Sequence, residues 1–280
     1  MSATNVPATA SGNRLRYAVS DWMVLTKRNL LTYVRKPDLL VFSTIQPVMF
    51  VVLFVYVFGG AIGEVLPSNV PYVDFLMPGI FVQTGIFAAM QTGVGLADDL
   101  QKGLIDRFRS LPMARSAVLA GRTAADTVSV IFQAVLMLIV AYAVGYRLHE
   151  GLLESLLAFV VLVGVGYSFT WVSAFAGLSL KTIEAVQAAT FTIVFPFVFV
   201  SSAFVPVETF PTWLQGFANA NPVTIWVDTV RVLTLGQLYT ESTFFPDVPA
   251  LGALLWQSAA WVVGIMAVFA TLGVRVYRRT

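Results

Sequence analysis

The chain has 280 residues and a formal net charge of +2; 58% of its residues are hydrophobic and only 11% are charged. A soluble domain carries roughly 25% charged residues, and a mean hydropathy of +0.80 leaves more apolar surface than a water-soluble fold of this size hides. There is no cysteine, hence no disulfide framework, thiol nucleophile or Cys-ligated metal; the single histidine, His149, makes a His-based metal site unexpected, and no metal is assigned.

Residues 1–13 are small and polar and read as a disordered N-terminus. They do not read as a secretory signal, because the apolar run that follows starts late and is too long for an h-region. Residues 14–280 read as one transmembrane domain, an all-α membrane protein of six transmembrane helices. An N-terminal amphipathic interfacial helix precedes the spans, and an external re-entrant helical hairpin lies between spans five and six.

The interfacial helix is placed at 14–37. On a 3.6-residue wheel Leu15, Val19, Trp22, Met23, Leu30, Tyr33 and Val34 share one face, and Arg14, Asp21, Arg28 and Arg35 lie opposite. Trp22 and Tyr33 suit headgroup depth, while Arg28 and Arg35 suit the polar side. A plain positive anchor is the simpler alternative. Pro37 ends the helix.

The first span follows at 39–60, a run with almost no charge and long enough for the ~20 residues a crossing needs. Further spans are read at 75–97, 124–145, 152–180, 184–204 and 251–273. Pro47, Pro78 and Pro196 fall within or at the start of spans, where neighbouring helices can satisfy the freed carbonyls. Fifteen of the 17 basic residues fall before span one, between spans two and three, between spans four and five, or after span six. Only Arg147 and Arg231 fall on the other side. The positive-inside rule therefore places both termini in the cytoplasm of a multi-pass protein of the cell membrane.

Two connections are unusual. Between spans two and three, Leu100, Leu104, Ile105, Phe108 and Leu111 recur at helical spacing, with Asp106, Arg107 and Arg109 away from them. Asp98 can pair with Lys102, and Asp106 with Arg109. A short helix of that kind must dock on something, either lipid headgroups or a cytoplasmic partner. Between spans five and six, residues 205–226 are too polar to span and too apolar for a free loop. Pro211 and Pro222 suit the first turns of two short helices there, and Asp228 can pair with Arg231.

The chain lacks a G-x-x-x-x-G-K-[ST] phosphate loop. Gly93, Gly95, Gly164 and Gly166 read as close helix contacts. Ionisable groups are missing from mid-span, which argues against an ion-driven carrier. The spans hold neutral polar groups instead: Gln46, Gln83, Thr84, Gln91, Gln133, Ser168, Thr170, Ser173, Gln187, Thr190, Ser201 and Ser202. These are either inter-helix bonds or the lining of an amphipathic cavity. Phe191, Phe195, Phe197, Phe199 and Phe204 either contact cargo or pack against lipid.

Two motifs carry a family resemblance. One is KGLIDRFRSLPMAR at 102–115, running into Gly121, Arg122 and Asp126. The other joins Pro206, Glu208, Pro211, Trp213, Asn221, Pro222 and Arg231. In this order the chain, over about residues 14–279, resembles the membrane subunit of ABC-2-type exporters of the daunorubicin/doxorubicin-resistance kind. The resemblance implies that residues 14–37 are an elbow helix. It implies that Leu100 to Leu111 form a coupling helix seated in a separate ABC ATPase, with Lys181 and Glu184 as a minor contact. It implies two ATPase copies and a second permease unit, the same or a related chain, with spans one and five at the interface and the hairpin capping it. The chain itself would be no enzyme and bind no cofactor; ATP and Mg would belong to the ATPase. The expected partners are thus ATPase, second permease and bilayer, with no nucleic acid. The expected cargo is an amphipathic drug or lipid-like compound, on a path touching Gln46, Gln83, Gln187, Phe191 and Phe195. The alternatives are a cell-envelope glycolipid or polysaccharide and, from another class, an ion-driven carrier or channel.

Overall fold

The computed structural model describes residues 37–64, 66–67, 70–104, 115–241, 245 and 248–279, and everything regular among them is helical. Helix α1 runs Pro37–Val52 and continues through a π-helical turn, Leu53–Val57; a short α2 follows at Gly59–Gly63. Next come α3 (Tyr72–Ala89), α4 (Gln91–Gln101), α5 (Arg115–Val144), α6 (Leu152–Leu180) and α7 (Ile183–Phe199). A 3-10 turn at Val207–Thr209 leads to α8 (Thr212–Ala220), α9 (Pro222–Leu235), α10 (Gln237–Thr240) and the last helix, α11 (Leu251–Arg279).

Among the described residues four segments are long and apolar enough to cross a membrane: Tyr72–Gln101, Leu119–Val144, Leu152–Leu180 and Leu251–Tyr277. Two more apolar helices, Thr44–Val57 and Ile183–Phe199, are shorter and sit where the first and fifth spans are expected. At 1.5 Å per residue, the 17 residues of α7 reach about 26 Å, against a hydrocarbon core of about 30 Å. The helix that begins at Pro37 continues through the π turn to Val57, so its backbone is longer than its apolar segment.

Burial sorts the helices. Tyr72–Gln101 is the spine, with 89% of its apolar window buried, whereas Leu251–Tyr277 has 6% buried. A helix apolar on all sides needs helices around it, and α3 has α1, α5, α6 and α9 as neighbours. Outer helices turn apolar side chains outward: Trp256, Trp261, Val263 and Val268 on α11, and Ile139 on α5, are exposed. So much outward apolar surface suits lipid and not water.

Small residues bring the spine against α6. A Cβ at Gly93 would overlap the carbonyl oxygen of Ser173, and one at Gly177 would overlap that of Gly93. Farther along, a Cβ at Gly166 would meet Val130. Gly95 instead makes room for the Arg122 guanidinium, and Gly164 has only Val262 nearby. The spine breaks at Met90, between α3 and α4. The Ser173 hydroxyl serves both sides of the break: it donates to Met90 O (2.9 Å) and accepts from Gly93 N (2.8 Å).

The π turn, α7 and the segment after it are joined by a run of stacked and tilted rings. Phe191, Phe195, Phe199, Phe204, Phe54 and Phe58 succeed one another at centroid separations of 4.1–6.4 Å. This ladder packs the short helices against each other.

Candidate functional site

A cavity of about 340 Å3 opens beside the break at Met90, where α1, α3, α4, α5 and α7 meet. Gln46 and Pro47 come from α1, Gln83 and Thr84 from α3, Gln91 and Val94 from α4, Gln133 from α5, and Gln187, Thr190 and Phe191 from α7. Of the expected path residues, Gln46, Gln83, Gln187 and Phe191 therefore stand together. Phe195 lies one turn on, stacked at 4.1 Å on Phe199 in the ring ladder, and is not among the lining residues. Gln91 and Gln133 join the group.

The neutral polar residues thus divide by location. Ser168, Thr170 and Ser201 donate to carbonyls one turn back on their own chain. Ser173 bridges two helices, as described. Ser202 donates to Asp228 Oδ1 at 2.8 Å. The residues that line the cavity make few such bonds.

At the end of the bundle holding Lys102, Arg122 ties α4 to α5. Its Nε donates to Asp126 at 2.9 Å and its Nη1 to Asp99 at 3.4 Å. Lys102 pairs with Asp98 one turn back, and that hydrogen bond raises the Lys102 pKa above its ordinary value. Leu100 is half-buried against the cluster of Leu96, Leu119, Trp171, Leu178 and Tyr277. Leu104 is half-buried too. Ile105, Asp106, Arg107, Phe108, Arg109 and Leu111 lie outside the described residues, as do Trp22, Arg28, Tyr33 and Arg35. Lys181 is exposed, with φ 61° at the C-cap of α6, and Glu184 is exposed in the first turn of α7.

The opposite end is held by buried polar groups. Pro206 is buried before the 3-10 turn that contains Glu208. Pro211 caps α8, and Trp213 stands outward, 78% exposed. Asn221 caps α9 by accepting from Val223 N at 3.0 Å, while its Nδ2 donates to the carbonyls of Phe197 and Val200, both at 2.6 Å. Pro222 then opens the helix. Pro222 stands in the first turn of α9 as expected, whereas Pro211 lies one residue ahead of α8, in extended backbone at its N-cap.

Arg231 is fully buried. Its Nε donates to Phe75 O (2.9 Å), its Nη1 to Asp228 Oδ1 (3.1 Å) and its Nη2 to Ser202 O, and its guanidinium lies 3.6 Å from the Phe75 ring centre. Tyr239 also donates to Asp228, at 3.1 Å. One residue thus joins α3, the segment after α7, and α9.

Sequence reading passed over Asp74 here. It lies in the first turn of α3, buried to 2% exposure. Its Oδ1 accepts from Arg147 N at 3.0 Å, and its Oδ2 lies 2.8 Å from His149 Nε2. The available signal was an acidic residue opening an otherwise apolar run, which favours a helix N-terminus.

Comparison with known proteins gives this architecture its place. The family described as ABC-2 type transporter matches residues 20–235. The chain is 32% identical over 278 residues to the daunorubicin resistance ABC transporter permease protein DrrB1 of Streptomyces coeruleorubidus, across 99% of this chain and 91% of that one. It is 25% identical over 269 residues to a protein of Mycobacterium tuberculosis named as a probable doxorubicin resistance ABC transporter permease, DrrC, across 94% of this chain and 91% of the other. The match spans most of the helical bundle, and the chain belongs to the ABC-2 type transporter family, as a multi-pass membrane permease of the ABC transporter kind.

Proposed function

We propose that this chain is the membrane half of an ATP-driven exporter that moves an amphipathic drug or lipid-like compound out of the cell. The amide-lined cavity carries this reading. About 340 Å3 is within the range of small-molecule sites, and its walls mix neutral amides with the rings of Phe87 and Phe191. The relatives named for resistance to daunorubicin and doxorubicin support an amphipathic cargo. The polypeptide crosses the membrane six times, with α1 and α7 as the short spans and α8–α9 as an outer hairpin dipping into one leaflet. Both termini face the cytoplasm.

The motor is a separate ATPase, present twice. It grips residues 100–111, with Lys181 and Glu184 as a minor contact. Closure of the ATPases on ATP moves that grip, and α4 and α5, clamped by Arg122, carry the movement to the break at Met90 beside the cavity. A ligand shifts a conformational equilibrium only through contacts that differ between states; the ATPase supplies them here. A second permease copy covers α1, α7 and α8, which turn Met49, Tyr56, Ile193, Phe197 and Trp213 outward.

The decisive experiment co-expresses the chain with its ATPase. Phe108→Ala/Arg109→Ala is expected to lower ATPase co-purification about tenfold, the loss of one interface anchor, and to lower efflux in step while insertion is unchanged. Unchanged co-purification and efflux would remove the coupling assignment. Efflux that persists without the ATPase and collapses with a protonophore would replace the exporter by an ion-driven carrier.

Orientation has its own test, made simple by the lack of native cysteine. In intact cells a membrane-impermeant maleimide is expected to label Glu150→Cys, exposed in the connection between α5 and α6, and to spare Lys102→Cys until the membrane is opened. The reverse pattern would invert the topology.

A further inference from the structure

Five glutamines from five helices converge on the cavity: Gln46, Gln83, Gln91, Gln133 and Gln187. Polar side chains inside a membrane bundle ordinarily bond across helices. Among the described residues these do not. The one side-chain bond recorded for any of them is Gln133 Nε2 donating to Ser129 Oγ, one turn away on its own helix, at 3.3 Å. Gln83 is the extreme case. It is 3% exposed, and its Oε1 has no hydrogen-bond partner. Its neighbour Thr84 offers no help, because that hydroxyl donates to Ile80 O at 2.7 Å. A buried amide without a partner is costly, and an occupant that supplies one is favoured correspondingly.

The lining also limits what that occupant can be. No charged side chain is among the described residues that line the cavity. An ionic ligand there would meet dipoles without a counter-charge, which burial penalises heavily. A primary amide offers both donors and an acceptor oxygen, and its two ends exchange by a flip. Its best complement is a group that donates and accepts together. Phe87, Met90, Val94 and Phe191 supply apolar wall for the rest of the molecule.

We propose that the cavity selects uncharged amphiphiles bearing hydroxyl or carboxamide groups, with the Gln83 amide as the specificity-determining contact. This rests on the export reading above and narrows its substrate class to neutral compounds, which sets this chain apart from the relatives named for daunorubicin and doxorubicin, both of them amines that carry a positive charge near neutral pH. Gln187 is exposed on the cavity wall, so a charge introduced there acts on an occupant without being buried.

The test uses the full chain in lipid nanodiscs, with three pyrene probes of similar size: 1-pyrenemethanol, 1-methylpyrene and the cationic 1-pyrenemethylamine. Binding is read as energy transfer from the protein's tryptophans to pyrene, with protein-free discs subtracted. The alcohol is expected to bind about tenfold more tightly than the methyl compound, the scale of one buried hydrogen bond, and more tightly than the amine. Gln83→Leu is expected to erase the alcohol's advantage and leave methylpyrene binding in place. Gln187→Glu is expected to raise the affinity of the amine about tenfold without helping methylpyrene.

Equal binding of alcohol and methyl compound by the wild type would overturn the proposal. So would an alcohol preference that survives in Gln83→Leu, or a wild type that prefers the amine. Should Gln83→Leu not fold, the Gln187→Glu arm decides, and no gain for the amine counts against the site. The measurement needs neither ATP nor the ATPase. A lost probe preference alongside ATPase-dependent efflux defeats this inference alone; ATPase-independent efflux alongside an intact preference defeats the export reading alone.

Discussion

Replacing Arg231 by methionine is expected to cost about 3–5 kcal/mol and to leave little folded protein, because it strips one partner from a buried ion pair. The guanidinium is fully buried and serves Asp228 and the carbonyls of Phe75 and Ser202. Methionine fills much of the volume and serves none of them. Asp228 would keep only the hydroxyls of Ser202 and Tyr239, and three elements would lose their common tie. Arg231→Lys should fall between, since an ammonium cannot reproduce the planar fork that reaches both the carboxylate and the carbonyls. Arg231→Met combined with Asp228→Asn should recover part of the loss, because the unpaired charge goes too. Melting followed by size-exclusion chromatography in detergent measures all three. A single variant that melts within about 2 °C of the wild type would show that the cluster is solvated and not a lock.

Gly93→Leu is expected to be nearly as damaging, by a different route. The Cβ alone would overlap the Ser173 carbonyl oxygen, which belongs to helix backbone and cannot rotate away. Helices α4 and α6 must then separate, breaking the Ser173 bonds to Met90 O and Gly93 N and opening the cluster around Leu96 and Trp171. Overpacking of this kind costs about 1–3 kcal/mol or more. Gly93→Ala should show the same effect in milder form, and Gly264→Ala, which meets nothing nearby, should show none. Transport should fail in Gly93→Leu even where some protein inserts, since α4 leads toward residues 100–111 and passes the cavity. Efflux per inserted molecule, set against Gly264→Ala, tests this; wild-type efflux by Gly93→Leu would mean that α4 and α6 do not need their close approach.

Both effects were partly foreseeable. Gly93 and Gly166 sit in apolar runs where a missing side chain serves only close packing, and the glycine contacts agree. The same local logic placed the start of α9 at Pro222, because proline lacks only a donor that the first turn would not use, and set the start of α8 within one residue of Pro211. Arg231 and Asp228, three residues apart on one helix, announced their pairing by spacing alone.

Sequence was silent where distant residues meet. It offered bonds between helices and a cavity lining as equal readings of the neutral polar residues, and the answer differs by residue: Ser173 is a bond between helices, while Gln46, Gln83 and Gln187 face a cavity. The phenylalanines of α7 divided likewise, Phe191 reaching the cavity and Phe195 stacking in the ring ladder.

By itself the amino-acid order determined that this is a helical membrane protein, where its apolar runs lie and which family its motifs resemble. Those properties reside in composition, periodicity and nearest-neighbour geometry, all of which one strand of text contains. The tertiary structure alone decided that five amides from five helices share one space, that Arg231 is fully buried, and that Asp74 holds Arg147 and His149 more than 70 positions away. The physical reason is that helix spacing specifies which residues share a face, whereas the rotation of each helix against its neighbours depends on packing summed over the whole bundle.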